Sequence, residues 1–190
     1  DFPVAGVIWY QGESDAEIED RKQNYTLLTD MINGWRAEFG NKELPFLMVE
    51  LPRINDKSKL RAYWPEFRHV QRSAAKRLPS VYTLTTIDLG STNSDVHPPR
   101  KLEVGTRLAN LAAAQVYGKD VPFSGPVVTK VQTTSDGITL HYQYADGLKT
   151  TDGKAPVGFE VSADGKEYFP AEASILGETV VLSCNKVKKP

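Results

Sequence analysis

Two clusters in this chain have residue types and spacing that could do chemistry. One is Asp95-Val96-His97, which sits between a strand-like run and a helix-like run. Histidine is the side chain whose ordinary pKa allows proton transfer near neutrality. A carboxylate beside it can fix its tautomer and stabilise the imidazolium that forms. Asp95 and His97 therefore read as a general base with its orienting acid; Asp88, nine residues before His97, is a rival orienter or merely the end of the strand. The other cluster is Gln11-Gly12-Glu13, directly after an apolar run. A Gln amide can donate to a developing oxyanion, and a glycine lets backbone approach a ligand. Glu13 could hold a neighbour such as Arg53 or orient the loop. Without a site, the same residues make a turn and a helix start, with Ser14 or Asp15 as N-cap. Gly12-Glu13-Ser14-Asp15-Ala16 also approximates a nucleophile elbow, G-x-S-x-G with Ala in the last place. That makes Ser14 a weaker candidate nucleophile. Against it, the acid and base of an elbow hydrolase sit on separate loops, and an oxyanion donor from an earlier strand-helix loop has no counterpart here.

The elements that must position these residues follow from apolar periodicity. Val4 to Tyr10 is a continuous apolar run, expected as a strand buried on both faces, and Pro45 to Leu51 is a second expected buried strand. Val81 to Leu89 is the third expected strand. Helical spacing places Tyr25, Leu28, Ile32 and Trp35 on one face of a helix ending at Gly40. Phe67, Val70 and Ala74 mark a second helix ending by Pro79, and Val104, Leu108, Leu111, Ala112 and Val116 a third that starts near Leu102. Strand-helix repetition predicts a parallel α/β sheet. Both clusters then fall past the carboxyl ends of strands, where open α/β sheets place ligands. After about residue 122 the composition shifts. Val-, Thr- and Tyr-rich runs at Val127–Thr134, Ile138–Tyr144, Gly158–Ser162 and Thr179–Ser183 are divided by Asp136-Gly137, Asp146-Gly147, Asp152-Gly153 and Asp164-Gly165. That pattern predicts a small antiparallel β module over 123–190, with Ile138, Leu140 and Tyr142 on its buried face.

The 190 residues are 40% hydrophobic and 25% charged, with a formal net charge of -1, an ordinary globular balance. No basic face suggests nucleic acid; Lys186, Lys188 and Lys189 make only a small basic end. No apolar run is long enough to span a bilayer. Cys184 is the only cysteine and reads as a small core residue. It does not decide the compartment; for a bacterial source a periplasmic or secreted location is expected. His69, His97 and His141 are too dispersed for a local metal motif, and no glycine-rich phosphate loop is present, so neither a metal nor a cofactor is expected. Trp64 is the best candidate for an aromatic at a sugar-binding rim, whereas Trp9 and Trp35 fit core patterns.

Trp9-Tyr10-Gln11-Gly12-Glu13-Ser14-Asp15, Ile87-Asp88-Leu89-Gly90, Asp95-Val96-His97-Pro98, Lys101 and Gly105-Thr106-Arg107-Leu108-Ala109 together resemble the sialate O-acetylesterase family of SGNH-type hydrolases. The resemblance covers nearly the whole chain. It implies a flavodoxin-like three-layer α/β fold, here N-terminally incomplete, and removal of O-acetyl groups from sugars. His97 would be the base, Asp95 its orienter, Gln11 and Gly12 would lie by the oxyanion hole, and Glu13 would support the site. The family's nucleophile is a Ser in a Gly-Gln-Ser or Gly-Asp-Ser turn upstream; no such turn occurs in these residues. The chain is thus expected to be a fragment that begins at the family's middle block. Its partners would be an O-acetylated sugar or glycan and the missing N-terminal segment of the same enzyme, whose loss should leave a sheet edge open to association. The family's β module also usually continues past Pro190. An acetylxylan-type esterase and a non-catalytic carbohydrate-binding remnant are the alternatives.

Overall fold

A computed structural model describes residues 3–56, 58–134 and 137–187. The chain divides into two units, 1–123 and 124–190. In the first, strands β1 (Val7–Trp9), β2 (Phe46–Val49) and β3 (Val81–Leu84) form a parallel sheet in the order β1-β2-β3. Helices α1 (Arg21–Glu38) and α2 (Trp64–Arg77) connect them, and α3 (Lys101–Gln115) follows. Strand alternation in β2 sorts the layers. Phe46 and Met48 join Leu28 and Ile32 of α1 and Val70 and Ala74 of α2. Leu47 and Val49 face the other way, onto Val104, Leu108 and Leu111 of α3. Every residue of β2 is buried, as expected for a central parallel strand.

The ends of these elements have local causes. Asp20 caps α1 by accepting from the backbone N–H of Lys22 at 2.8 Å, so the cap lies past Ser14, which makes no capping hydrogen bond. Gln71, fully buried on α2, accepts from the Leu51 N–H and donates to the Val49 carbonyl, both at 3.1 Å. Its amide replaces a strand neighbour where β2 ends. The third strand is shorter than the apolar run implies. Past Leu84, the Thr86 hydroxyl donates to the Glu50 carbonyl at 2.7 Å, taking the acceptor a longer ladder would use, and Ile87–Leu89 turns into a 3-10 helix.

Two expectations about apolar residues are corrected. The first strand is not buried on both faces: Ile8 is 62% exposed, because among the described residues β1 pairs only with β2. Trp35, expected in the core, is 40% exposed and meets Trp9 edge-on, with ring centroids 5.8 Å apart.

Glu50, just past β2, is a buried carboxylate with Arg72 Nη1 at 3.2 Å. Burial raises its pKa and outweighs the opposing pull of Arg72, Thr83 and Arg68. A carboxyl whose folded pKa is raised contributes stability that is fully present below its unfolded pKa and lost as pH rises through the folded value. Glu50→Gln should remove this loss. The difference in melting temperature, variant minus wild type, should therefore grow from pH 4 to pH 7 in paired thermal melts; a constant difference would contradict the burial argument.

The second unit holds an antiparallel sheet in the order β4-β5-β9-β8, formed by β4 (Val127–Thr133), β5 (Ile138–Gln143), β8 (Glu172–Leu176) and β9 (Thr179–Ser183). A separate pair is made by β6 (Glu160–Val161) and β7 (Phe169–Pro170). Ile138, Leu140 and Tyr142 share a face and pack on Val161, Val180 and Leu182, as their alternation predicts. Cys184 lies against the same cluster. Strands β7 and β8 carry no strong alternation in sequence and were not anticipated. Asp136 of the expected Asp136-Gly137 turn, and Lys188 and Lys189, lie outside the described residues.

Candidate active site

Loops at the carboxyl ends of the parallel strands form a cleft of roughly 410 Å³, lined by Tyr10, Glu13, Ser14, Val96, His97 and Lys101. The structure therefore brings both sequence clusters to one place. A shared apolar floor explains how. Ala16, Leu51, Trp64 and Phe67 are buried together, and Val96 packs against them. Val96 and the buried Pro98 turn inward, while Asp95 and His97 between and beside them stay exposed. Asn55 ties the same loop from the side, with its amide N–H groups bonded to Asn93 and Thr92 carbonyls at 3.2 and 3.0 Å.

Asp95 Oδ1 accepts twice from His97: from its backbone N–H at 2.8 Å and from ring Nδ1 at 3.1 Å. The backbone bond, then the ring bond, holds the Asp95 carboxyl below its ordinary range, so it is an ionised acceptor. An ionised carboxylate can only accept, so the contact requires the proton on Nδ1 and leaves the Nε2 lone pair available as a base. The histidine side chain is 83% exposed, so the ring sits on an open wall. Asp88 is not its orienter. Both Asp88 oxygens are held by Arg107, at 2.8 and 2.6 Å, and Arg107 also donates to the Thr85 carbonyl. Asp88 and Arg107 clamp the end of β3 to α3. Their opposite charges, one just past β3 and one in the second turn of α3, were the available signal for that clamp.

The Gln11-Gly12-Glu13 block is more structural than its sequence suggests. Gly12 has φ +143°, and a Cβ placed there would lie 2.2 Å from Phe67 Cε1. The missing side chain makes room for Phe67. Glu13 Oε2 accepts from the Gly12 N–H at 3.0 Å, so the carboxylate closes its own loop. It does not hold Arg53; Arg61 instead reaches the Glu13 carbonyl at 3.4 Å and pairs with Glu17. Gln11 is half-buried, and its amide has no hydrogen-bond partner among the described residues. Ser14 lines the cleft but has φ -77° and ψ -36°, ordinary helical values rather than the strained turn of a nucleophile elbow.

Trp64 is not a rim aromatic. It is 1% exposed and forms part of the floor, because Pro65 starts α2 there and the indole faces Ala16 and Phe67. His69 is exposed on α2, and His141 is on β5 with Nε2 buried. Among the described residues, no group of three or more His, Cys, Asp or Glu is placed to hold a metal ion. No described helix is long and apolar enough to cross a membrane.

The described α/β unit carries, past the carboxyl ends of its parallel strands, a histidine held by a neighbouring carboxylate. The whole chain is similar to a crystal structure of a carbohydrate acetylesterase from Xanthomonas citri, with 34% identity and a TM-score of 0.87 over 100% of this chain and 44% of that one. Residues 2–114 match the family described as carbohydrate esterase, sialic acid-specific acetylesterase, and the chain belongs to that family. It is 29% identical to the sialate O-acetylesterase of Mus musculus over 96% of this chain and 37% of that protein. With the sialate O-acetylesterase of Homo sapiens it shares 29% identity over 84% of this chain and 33% of that protein. The chain thus spans about a third of the length of these sialate O-acetylesterases.

Proposed function

We propose that the chain carries the base half of a carbohydrate O-acetylesterase acting on acetylated sialic acids, in an SGNH-type three-layer fold. The carrying observation is the contact of His97 Nδ1 with Asp95 Oδ1 at 3.1 Å, on a histidine that lines the cleft. Family membership supports the ester and the sugar. The sandwich of α1 and α2, sheet, and α3 supports the layer assignment.

The nucleophilic serine comes from a segment outside these 190 residues. Its Oγ attacks the acetyl carbonyl while His97 Nε2 takes the hydroxyl proton. The tetrahedral oxyanion is held by donors that include Gln11. As the C–O bond to the sugar breaks, His97 returns the proton to the leaving sugar oxygen. It then takes a proton from water, whose oxygen attacks the acyl-serine, and gives that proton to the serine Oγ as the acyl bond breaks and acetate leaves. Asp95 stays ionised throughout. Glu13 holds the Gly12 amide and hence the loop carrying Gln11. The 124–190 unit is an accessory β module.

Ser14 is the second reading, favoured by its place in the same cleft as His97. Hydrolysis of p-nitrophenyl acetate separates the two. The chain alone should show little turnover, and the chain extended by its upstream coding sequence should be active. Activity of the chain alone that disappears in Ser14→Ala would transfer the nucleophile to Ser14.

A further inference from the structure

Lys101 is the one cationic residue among those lining the cleft, and the proposed mechanism gives it no task. It occupies the first position of α3, where the helix dipole is positive and a cation is disfavoured. Its neighbour Arg100 is neutralised by Glu103 at 2.7 Å. Lys101 has no such direct partner: among the described residues it makes no salt bridge, and its ammonium rests 4.7 Å from the centroid of the Tyr10 ring. Of the nearby carboxylates, Asp95 feels the Lys101 charge through space without pairing with it. Asp95 Oδ1 accepts from His97, and Glu13 Oε2 accepts from the Gly12 N–H. A cation with no direct ion-pair partner, stacked on an aromatic wall beside His97, is suited to an anion brought in by a ligand.

We infer that Lys101 is a specificity-determining residue that receives the carboxylate of an acidic acetylated sugar, so that the cleft prefers it over a neutral one. The inference rests on the esterase reading above and deepens it. Tyr10 holds the Lys101 ammonium at the wall, and His97 addresses the acetyl ester in the same cleft. Recognition of the carboxylate is separate from the bond that breaks, so the effect belongs in substrate discrimination.

The test compares an O-acetylated sialic acid with its carboxyl methyl ester, which keeps the shape and loses the charge, using the extended protein. The readout is the ratio of kcat/KM for acid over methyl ester. Lys101→Met should lower that ratio by about ten- to a hundredfold, mostly through KM for the acid, the range for a hydrogen bond to a charged group. Lys101→Arg should restore most of the ratio, and Lys101→Glu should push it below the Met value. An equal loss on both substrates in Lys101→Met would overturn the assignment while leaving the esterase reading standing. A wild-type protein that cleaves neither substrate would overturn both.

Discussion

In the extended protein, His97→Ala should lower kcat for acetyl ester hydrolysis by on the order of 10⁴-fold or more, the scale on which a serine hydrolase loses its base. The side chain is 83% exposed and only its ring meets Asp95, so the melting temperature should hardly change. Loss of turnover without loss of fold separates a chemical role from a structural one. Asp95→Asn refines the point. An asparagine oxygen can still accept from the His97 backbone N–H, so the loop keeps its turn while the ring loses its anionic partner. Its turnover should fall between wild type and His97→Ala. Full activity in His97→Ala would sink the role given to this histidine.

The second large effect is on folding. Gly12→Ala puts a methyl group 2.2 Å from the Phe67 ring at a backbone angle that favours glycine. Strain and overpacking together should cost on the order of 3 kcal/mol. Urea unfolding of the chain would show this as a lower midpoint. Phe67→Leu in the Gly12→Ala background should recover part of it, since the smaller side chain yields the space. A wild-type midpoint in Gly12→Ala would mean that the loop relaxes freely, and the packing explanation would fail.

The glycine also shows where sequence reading reaches its limit. The order of strands and helices was legible because Leu28, Ile32, Phe67, Val70, Ala74, Val104, Leu108 and Leu111 repeat at helical spacing around short apolar runs. The pair Asp95 and His97 was legible for a stronger reason: its geometry is set within three residues. Gly12 and Trp64 were read as ligand-facing because their types suit ligands. Their real neighbours, Phe67 for the one and Ala16 and Phe67 for the other, depend on how α2 meets the loop after β1. Such tertiary contacts leave no periodic trace. The same holds for Gln71, which looks like an ordinary polar residue on a helix and is fully buried. Ile8 and Trp35 were misjudged for a related reason: an apolar run reports suitability for burial, and burial itself requires a neighbour on that side.

One carboxylate oxygen serving both the turn and the ring of His97 has a consequence for tolerance to motion. The base and its orienter form a cassette of adjacent residues whose mutual alignment needs nothing from the distant chain. Loosening of the helices or of the sheet rim would carry the pair along intact. Partial thermal opening should therefore first disturb the distance from this cassette to the bound ester, and only later the alignment within it. A lineage could likewise lengthen or shorten the loop on either side of 95–97 without having to rediscover the pairing.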